Sequence, residues 1–245
     1  MPSRRGPRRG GGGRDDATAP ALRATPGPPP GTTDAAGAQL WHSARLAAAC
    51  PLRRLSRSRP LALKSTIYKA SLQIADIDRA VYASPTLTLA LHPSETEERL
   101  MVRLLAYALQ RPASDEDGAL EFARGLSDSD EPDLWQRDLT GALVHWIEVG
   151  QPDERRLAKA CARASRVTLY AYSSATPVWW AGLSGKVSRL ANLAVWRIDA
   201  AQSQDMARLA ARSMQLQVNV QDGAVWLGGG DHMVEIHPTA LQRPR

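Results

Sequence analysis

Near the middle of the chain lies the sequence His145-Trp146-Ile147-Glu148-Val149-Gly150-Gln151-Pro152. As a β-strand it places Trp146, Glu148 and Gly150 on one side and the apolar Ile147 and Val149 on the other, because side chains alternate across a strand. A carboxylate in such an apolar strand is costly unless it is ion-paired, hydrogen-bonded or bound to a metal. The sequence therefore indicates that Glu148 has a partner of one of these kinds.

From this strand onward, the pattern predicts that strands and helices alternate. Short apolar runs are each followed by a longer segment with helical periodicity. The three predicted strand–helix pairs are 143–149 with 152–164, 167–172 with 177–190, and 193–198 with 201–213. This alternation predicts crossover connections and a partly parallel sheet covered by helices.

Antiparallel strands are predicted on both sides of this region, from alternation of apolar and polar residues. These strands are 66–76, 86–91, 216–220 and 225–227. A helix is predicted from Ser94, whose side chain can cap it with Glu97 three residues on, through Leu109. The dipeptide Asp222-Gly223 between the last two strands is typical of hairpin turns. The predicted fold class is α/β, with a mixed sheet flanked by helices.

The first sixty residues differ in composition from the rest. They contain eleven arginines, only three aspartates, nine of the seventeen prolines and a run of four glycines at 10–13. Such a segment cannot bury enough apolar surface to offset an ordering entropy of about 1–2 kcal/mol per residue. Residues 1–60 are therefore predicted to be a disordered leader, and residues 61–245 one folded domain.

The positive charge of the chain belongs to this leader. Its arginines and aspartates give +8, and because the whole chain carries +6, residues 61–245 carry −2. The overall charge is therefore no evidence that the domain binds nucleic acid. No apolar stretch is long enough to span a membrane, and two distant cysteines, Cys50 and Cys161, fit a reducing compartment. We expect a soluble, cytoplasmic protein.

Acidic residues surround the Glu148 strand. Asp138 stands ten residues earlier, before Thr140-Gly141, and a hairpin at that turn would bring it close to Glu148; Asp133 lies a little further back. Two converging carboxylates suit a hard divalent cation such as Mg²⁺. On the predicted Ser94 helix, a third acid is available because the two glutamates Glu95 and Glu98 share the face that packs on the sheet.

Acids from a helix, a strand and the next strand resemble the metal site of restriction-endonuclease-like nucleases. Their signature is an aspartate, often after proline, followed by Glu-x-Lys, in which the lysine orients water or stabilises charge at the phosphate. Here Gly150 occupies the lysine position, so Lys159 on the following helix is the candidate lysine. In the alternative interpretation Glu148 pairs with Arg155 or Arg156, Asp138 caps a turn, and the two glutamates favour a helix N-terminus.

Several segments also resemble the YaeQ family, in order from Leu61 nearly to the C-terminus. They are residues 61–70, 92–99, 131–135, 146–150, 152–156, 192–196 and 221–227. The resemblance implies a bacterial cytoplasmic protein with a variant of the restriction-endonuclease-like fold. It also implies a site at Glu98 or Glu95, Asp138 and Glu148, with Lys159 as the basic member.

The leading functional hypothesis is a nuclease-like protein that depends on Mg²⁺ or Mn²⁺ and hydrolyses phosphodiester bonds. The alternative is a non-catalytic module that binds nucleic acid or protein. Arg155, Arg156 and Arg163 are candidate phosphate contacts on the helix after Glu148, although a solvated helix face would look the same. Trp179 and Trp180 could stack on bases or pack in the core.

The resemblance also bears on the leader, which lies outside it. Members of the family normally begin near the residue equivalent to Leu61, and a leucine codon can start translation in bacteria. We therefore expect a native start at or near Leu61. The alternative is a genuine basic tail that adds affinity for nucleic acid by neutralising phosphates.

Overall fold

A computed structural model describes residues 65–116, 118–124, 128 and 130–245 of the chain. All of these residues belong to one compact unit. The predicted leader, residues 1–60, lies outside the described residues. Two mixed sheets and four helices make up the described part, so the predicted α/β class is confirmed.

Sheet 1 brings together the two ends of the domain. Its strands are β1 (Thr66–Asp76), β2 (Val81–Ala83), β3 (Thr86–Leu91), β9 (Ser213–Gln221), β10 (Ala224–Gly229) and β11 (His232–Ile236). The strand order is β11-β10-β9-β1-β2, with β3 also paired to β1. The pairing of β1 with β9 is parallel and the others are antiparallel. The predicted hairpin turn at Asp222-Gly223 is present, and both residues have positive φ.

Sheet 2 contains the strand of Glu148. Its strands are β4 (Leu120–Phe122), β5 (Leu134–Arg137), β6 (Leu143–Val149), β7 (Arg166–Ala171), β8 (Leu193–Arg197) and β12 (Thr239–Gln242), in the order β12-β8-β7-β6-β5-β4. The central strands β6, β7 and β8 are parallel, as the strand–helix alternation predicts. The crossover helices are α2 (Glu154–Arg163) and α3 (Thr176–Val187).

The remaining helices, α1 (Glu97–Gln110) and α4 (Ala200–Ala207), lie between the sheets. One hydrophobic core joins sheet 1, these two helices and one face of sheet 2, while a second core joins the other face of sheet 2 to α2 and α3. Residues 100–108 of α1 are consequently all buried. The prediction of a single mixed sheet is wrong, because alternation within a strand does not reveal which distant strand it pairs with.

The predicted start of α1 at Ser94 is also wrong. Thr96 is the N-cap, and its side chain accepts a hydrogen bond from the Arg99 N–H. The Ser94 N–H instead donates to the ring of His92, and the Glu95 N–H donates to the His92 carbonyl, so these residues form a turn before the helix. Among the helices of the described residues, none is long and apolar enough to cross a membrane.

Candidate functional site

Three buried acids lie where β6 ends. Glu148 is the penultimate residue of β6, Asp133 immediately precedes β5, and Glu95 immediately precedes the cap of α1. Because β5 runs antiparallel to β6, with Leu134 opposite Ile147, the start of β5 lies beside the end of β6. The site therefore draws on a helix and two neighbouring strands.

Glu148 is only 4% exposed and has two partners. The indole N–H of Trp146 donates to Oε2 at 2.8 Å, and the guanidinium of Arg156 on α2 donates to Oε1. Burial, and secondarily the charge of Asp133, raises the pKa of Glu148 to about 7, although Arg156 and Trp146 act in the opposite direction. The environment of Glu148 therefore favours the protonated form more than water does.

Asp133 is 1% exposed and lies where β5 begins. Its Oδ2 accepts the backbone N–H of Val149 at 2.7 Å. Its Oδ1 lies 2.7 Å from a guanidinium nitrogen of Arg99 and 3.6 Å from Nε of Arg103; these are ion pairs without well-directed hydrogen bonds. Asp133 thus links the end of β6 to the arginines of α1.

Glu95 completes the cluster from the side of α1. Arg103 donates to its two oxygens at 2.8 and 3.1 Å, and Arg99 donates at 3.1 Å. Three carboxylates therefore face three guanidinium groups. We call this set, namely Glu95, Asp133, Glu148, Arg99, Arg103 and Arg156, the acid–arginine cluster.

Asp138 is not part of this cluster, contrary to prediction. It lies just beyond the opposite end of β5 from Asp133, about 17 Å along the strand at roughly 3.3 Å per residue. Its exposed Oδ1 accepts the N–H groups of Thr140 and Ala142, each at 2.9 Å, and the Thr140 hydroxyl at 2.7 Å. These bonds lower its pKa. The hairpin turn fixes Asp138 at the far end of the sheet, which is the turn-capping role of the alternative interpretation.

Glu98 and Lys159 also lie apart from Glu148. Glu98 accepts the hydroxyl of Ser203 on α4 at 2.5 Å, so it contributes to packing between α1 and α4. Lys159 Nζ lies 2.5 Å from Asp130 at the surface. The expectation that Lys159 turns toward Glu148 is not met, because Arg156, one turn nearer the start of α2, occupies that position.

The three candidate phosphate contacts have different environments. Arg156 belongs to the acid–arginine cluster and also donates to the Glu131 carbonyl. Arg163 lies over the Trp146 ring, 5.4 Å from its centroid, and donates to the Asp130 carbonyl. Arg155 is exposed to solvent on α2.

Four residues in or beside the acid–arginine cluster were not assigned to the site from sequence. Asp133 follows Pro132, the proline–aspartate signature of the nucleases, and this signal could have identified it. Arg99 stands four residues after Glu95, a spacing that favours an ion pair along a helix, and Arg103 stands one turn further on. Tyr172 follows β7, and burial, with smaller contributions from nearby acids, raises its pKa to about 12 while Arg99 opposes the shift. No sequence pattern identified Tyr172.

The residues of this site do not fit a divalent cation as they are arranged. Each carboxylate is directed at a guanidinium group, so the cluster already balances its charges. Within the described part of the chain, no three His, Cys, Asp or Glu side chains form a group that could hold a metal ion. The cluster is a network of buried ion pairs.

Comparisons with known proteins identify relatives across the folded domain. The family model described as YaeQ protein matches residues 61–238. Two relatives called Uncharacterized protein YaeQ, from Salmonella typhi and Escherichia coli K12, are 47% and 44% identical over 185 residues, which cover 75% of this chain and 99% of each relative.

Solved structures agree with these matches. The crystal structure of YaeQ protein from Xanthomonas axonopodis pv. citri is 46% identical, with a TM-score of 0.69 over 74% of this chain and 99% of that one. The YaeQ protein from Pseudomonas syringae is 38% identical, with a TM-score of 0.68 over 73% and 97%. The mixed α/β architecture therefore matches these experimental structures.

Proposed function

Because the chain belongs to the YaeQ family, we propose that its domain is a nucleic-acid-binding module on a restriction-endonuclease-like core that does not hydrolyse phosphodiester bonds. The arrangement of the acids supports the choice of core. Glu95 precedes a helix, Asp133 immediately precedes β5, and Glu148 lies on the adjacent strand β6, an arrangement similar to that of the acids in such nucleases. Asp133 replaces Asp138 in this proposal.

One observation supports the proposal that the domain is not catalytic: each buried carboxylate of the cluster is paired with arginine. Removing one partner from a buried ion pair typically costs about 3–5 kcal/mol. A cation that binds these oxygens would have to displace the guanidinium groups at a comparable cost.

The missing lysine agrees with this proposal. Gly150, at the lysine position of the nuclease signature, has φ +114°. A residue with a Cβ is strained in this conformation, so the backbone itself disfavours a lysine there. Lys159, the substitute considered from sequence, is paired with Asp130 instead.

Nucleic acid is the proposed partner because α2 and α3 present exposed basic residues on the outside of the domain. These are Arg155, Lys159 and Arg163 on α2, Lys186 on α3, and Arg189 just after α3. The ion pair between Lys159 and Asp130 is exposed, and such pairs contribute little to stability. A phosphate backbone could therefore compete for this surface without disturbing the core.

The proposal is tested by incubating the full chain with labelled single- and double-stranded DNA and RNA, with Mn²⁺ or Mg²⁺ and with EDTA. We expect binding that weakens with salt, no cleavage, and no calorimetric signal for Mn²⁺ beyond dilution. The variants D133N and E148Q should behave like wild type in the cleavage assay. D138N is the matched control, since Asp138 is an acid that flanks the same strand, β5, at its other end and lies outside the cluster.

A second candidate function, a metal-dependent phosphodiesterase, is favoured by the position of the three acids at one end of sheet 2. It requires Arg99, Arg103 and Arg156 to move away from them. Metal-dependent cleavage that disappears in D133N and E148Q but persists in D138N would establish this function and contradict the non-catalytic one.

A further inference from the structure

A groove of about 350 Å³ lies between α2 and α3 and is lined by residues of both helices and of the loop before α2. Pockets for small molecules begin at about 300 Å³, so the groove is large enough for one nucleotide but not for a duplex. Its lining combines an aromatic ring, two basic side chains and a glycine: Trp179, Arg155, Lys186 and Gly182.

Trp179 supplies a fixed aromatic surface. Its indole N–H donates to the carbonyl of Pro152 at 3.2 Å, which holds the ring against the loop before α2. One helical turn later stands Gly182, where an added Cβ would meet no atom within 4 Å. The glycine therefore leaves open space in the groove beside the ring.

The two basic groups of the groove are available to a ligand. Neither Arg155 nor Lys186 has an ion pair or a side-chain hydrogen bond to any described residue. The two acids in the lining are engaged elsewhere: Asp153 caps α2 by accepting the Arg156 N–H at 2.8 Å, and Glu154 pairs with Arg189 at 3.2 Å. The groove thus offers two cations without ion pairs beside an aromatic ring, although Asp153, which caps the helix, keeps its negative charge.

We infer that this groove binds one nucleotide, with its base against Trp179 and its phosphate between Arg155 and Lys186. A bare phosphate would make no stacking contact with the ring, and an apolar ligand would make no ionic contact with the two cations. Stacking on aromatic side chains together with cationic contacts to phosphate is how proteins hold single-stranded nucleic acid. The choice of ligand rests on the proposed function, whereas its location rests on the groove itself.

The test measures fluorescence anisotropy of a labelled oligothymidylate with the full chain at several salt concentrations. The double variant R155Q/K186Q should bind at least about tenfold more weakly. Its slope of log affinity against log salt should be shallower by about 0.7, since the groove holds one phosphate and each phosphate contact to a single strand contributes about 0.7. W179L should weaken binding with the slope unchanged, because stacking releases no counterions. K69Q, which removes one exposed charge from sheet 1, is the control.

Further measurements separate the possible outcomes. Thermal melts show whether W179L folds, and R155Q/K186Q alters only exposed side chains, so it stays informative if W179L does not fold.

Calorimetry with adenosine monophosphate identifies the source of the ligand: equal affinity for the mononucleotide indicates free nucleotides, and tighter binding of the oligonucleotide indicates strands. Unchanged binding by R155Q/K186Q would overturn the groove assignment alone. Absence of binding by wild type would overturn the proposed function as well.

Discussion

Opposing electrostatic influences act on Glu148, and burial outweighs the others. Burial and the charge of Asp133 favour its neutral form, while Arg156 and the Trp146 indole favour the carboxylate. The folded state raises its pKa from the ordinary value of 4.5 to about 7, so the folded state binds this proton more tightly than the unfolded chain does. Its contribution to stability is therefore full below about pH 4.5 and is lost as the pH rises through 7.

This shift predicts a pH-dependent difference between wild type and E148Q, whose amide keeps the shape and cannot ionise. The free energy of unfolding of wild type minus that of E148Q should decrease by up to about 3 kcal/mol between pH 4.5 and 8. Urea denaturation across this range measures it. The corresponding difference between wild type and D138N should not change over this pH range. Hydrogen bonds lower the pKa of Asp138, so it stays ionised throughout. A flat difference for E148Q would show that Arg156 keeps Glu148 ionised.

At the scale of single residues, the sequence predicts the acid on β6 but not its partner across the sheet. Asp133 and Asp138 flank the same short strand, and both precede Glu148 by a spacing that a hairpin allows. Only the register of β5 against β6 decides between them, with Leu134 opposite Ile147. The buried ion pairs are equally hidden from sequence, because Arg99 and Arg103 would give the same helical pattern on a solvated face.

At the scale of elements, local sequence patterns predict that a helix or strand exists and which of the two it is. Tertiary contacts determine the residues at which it begins and ends. The three strand–helix pairs of sheet 2 are confirmed, but their helices are shorter than predicted. α4 ends at Ala207 rather than near Ser213, because Ser213 already pairs with β1 as the first residue of β9. The short strands β2, β11 and β12 were missed, since three to five residues carry too little periodicity to be recognised.

The start of α1 gives a prediction that separates two candidate caps. T96A should lower the free energy of unfolding by about 1 kcal/mol, since it removes the hydrogen bond to the Arg99 N–H. It should also loosen Arg99, which holds Asp133. S94A should have little effect, because among the described residues the Ser94 side chain hydrogen-bonds only to His92, at the surface. Urea denaturation of both variants provides the comparison, and a larger loss in S94A would restore Ser94 as the cap.

At the scale of the whole molecule, α1 couples the two sheets. One face of this helix contributes to a core shared with β1 and β9, and the same core includes Leu134, Ile147 and Tyr170 of sheet 2. Sheet 1 is complete only when β9 pairs with β1. In this pairing Leu216 lies opposite Leu72, which is more than 140 residues away along the chain. Neither sheet therefore has a complete core without the other, and we expect the domain to unfold as one unit.

L216A tests this coupling. Leu216 is 1% exposed in the core of sheet 1, and its truncation should lower the free energy of unfolding by about 2–5 kcal/mol. Of the six tryptophans in the described residues, only Trp226 belongs to sheet 1, so tryptophan fluorescence reports mainly on sheet 2 and its helices. The fluorescence and far-ultraviolet circular dichroism midpoints should shift together, because the loss in one sheet is transmitted through α1.

M233A, at an exposed position of the same sheet, should leave both midpoints nearly unchanged. A shift in circular dichroism that leaves the fluorescence midpoint in place would mean that the two sheets unfold independently.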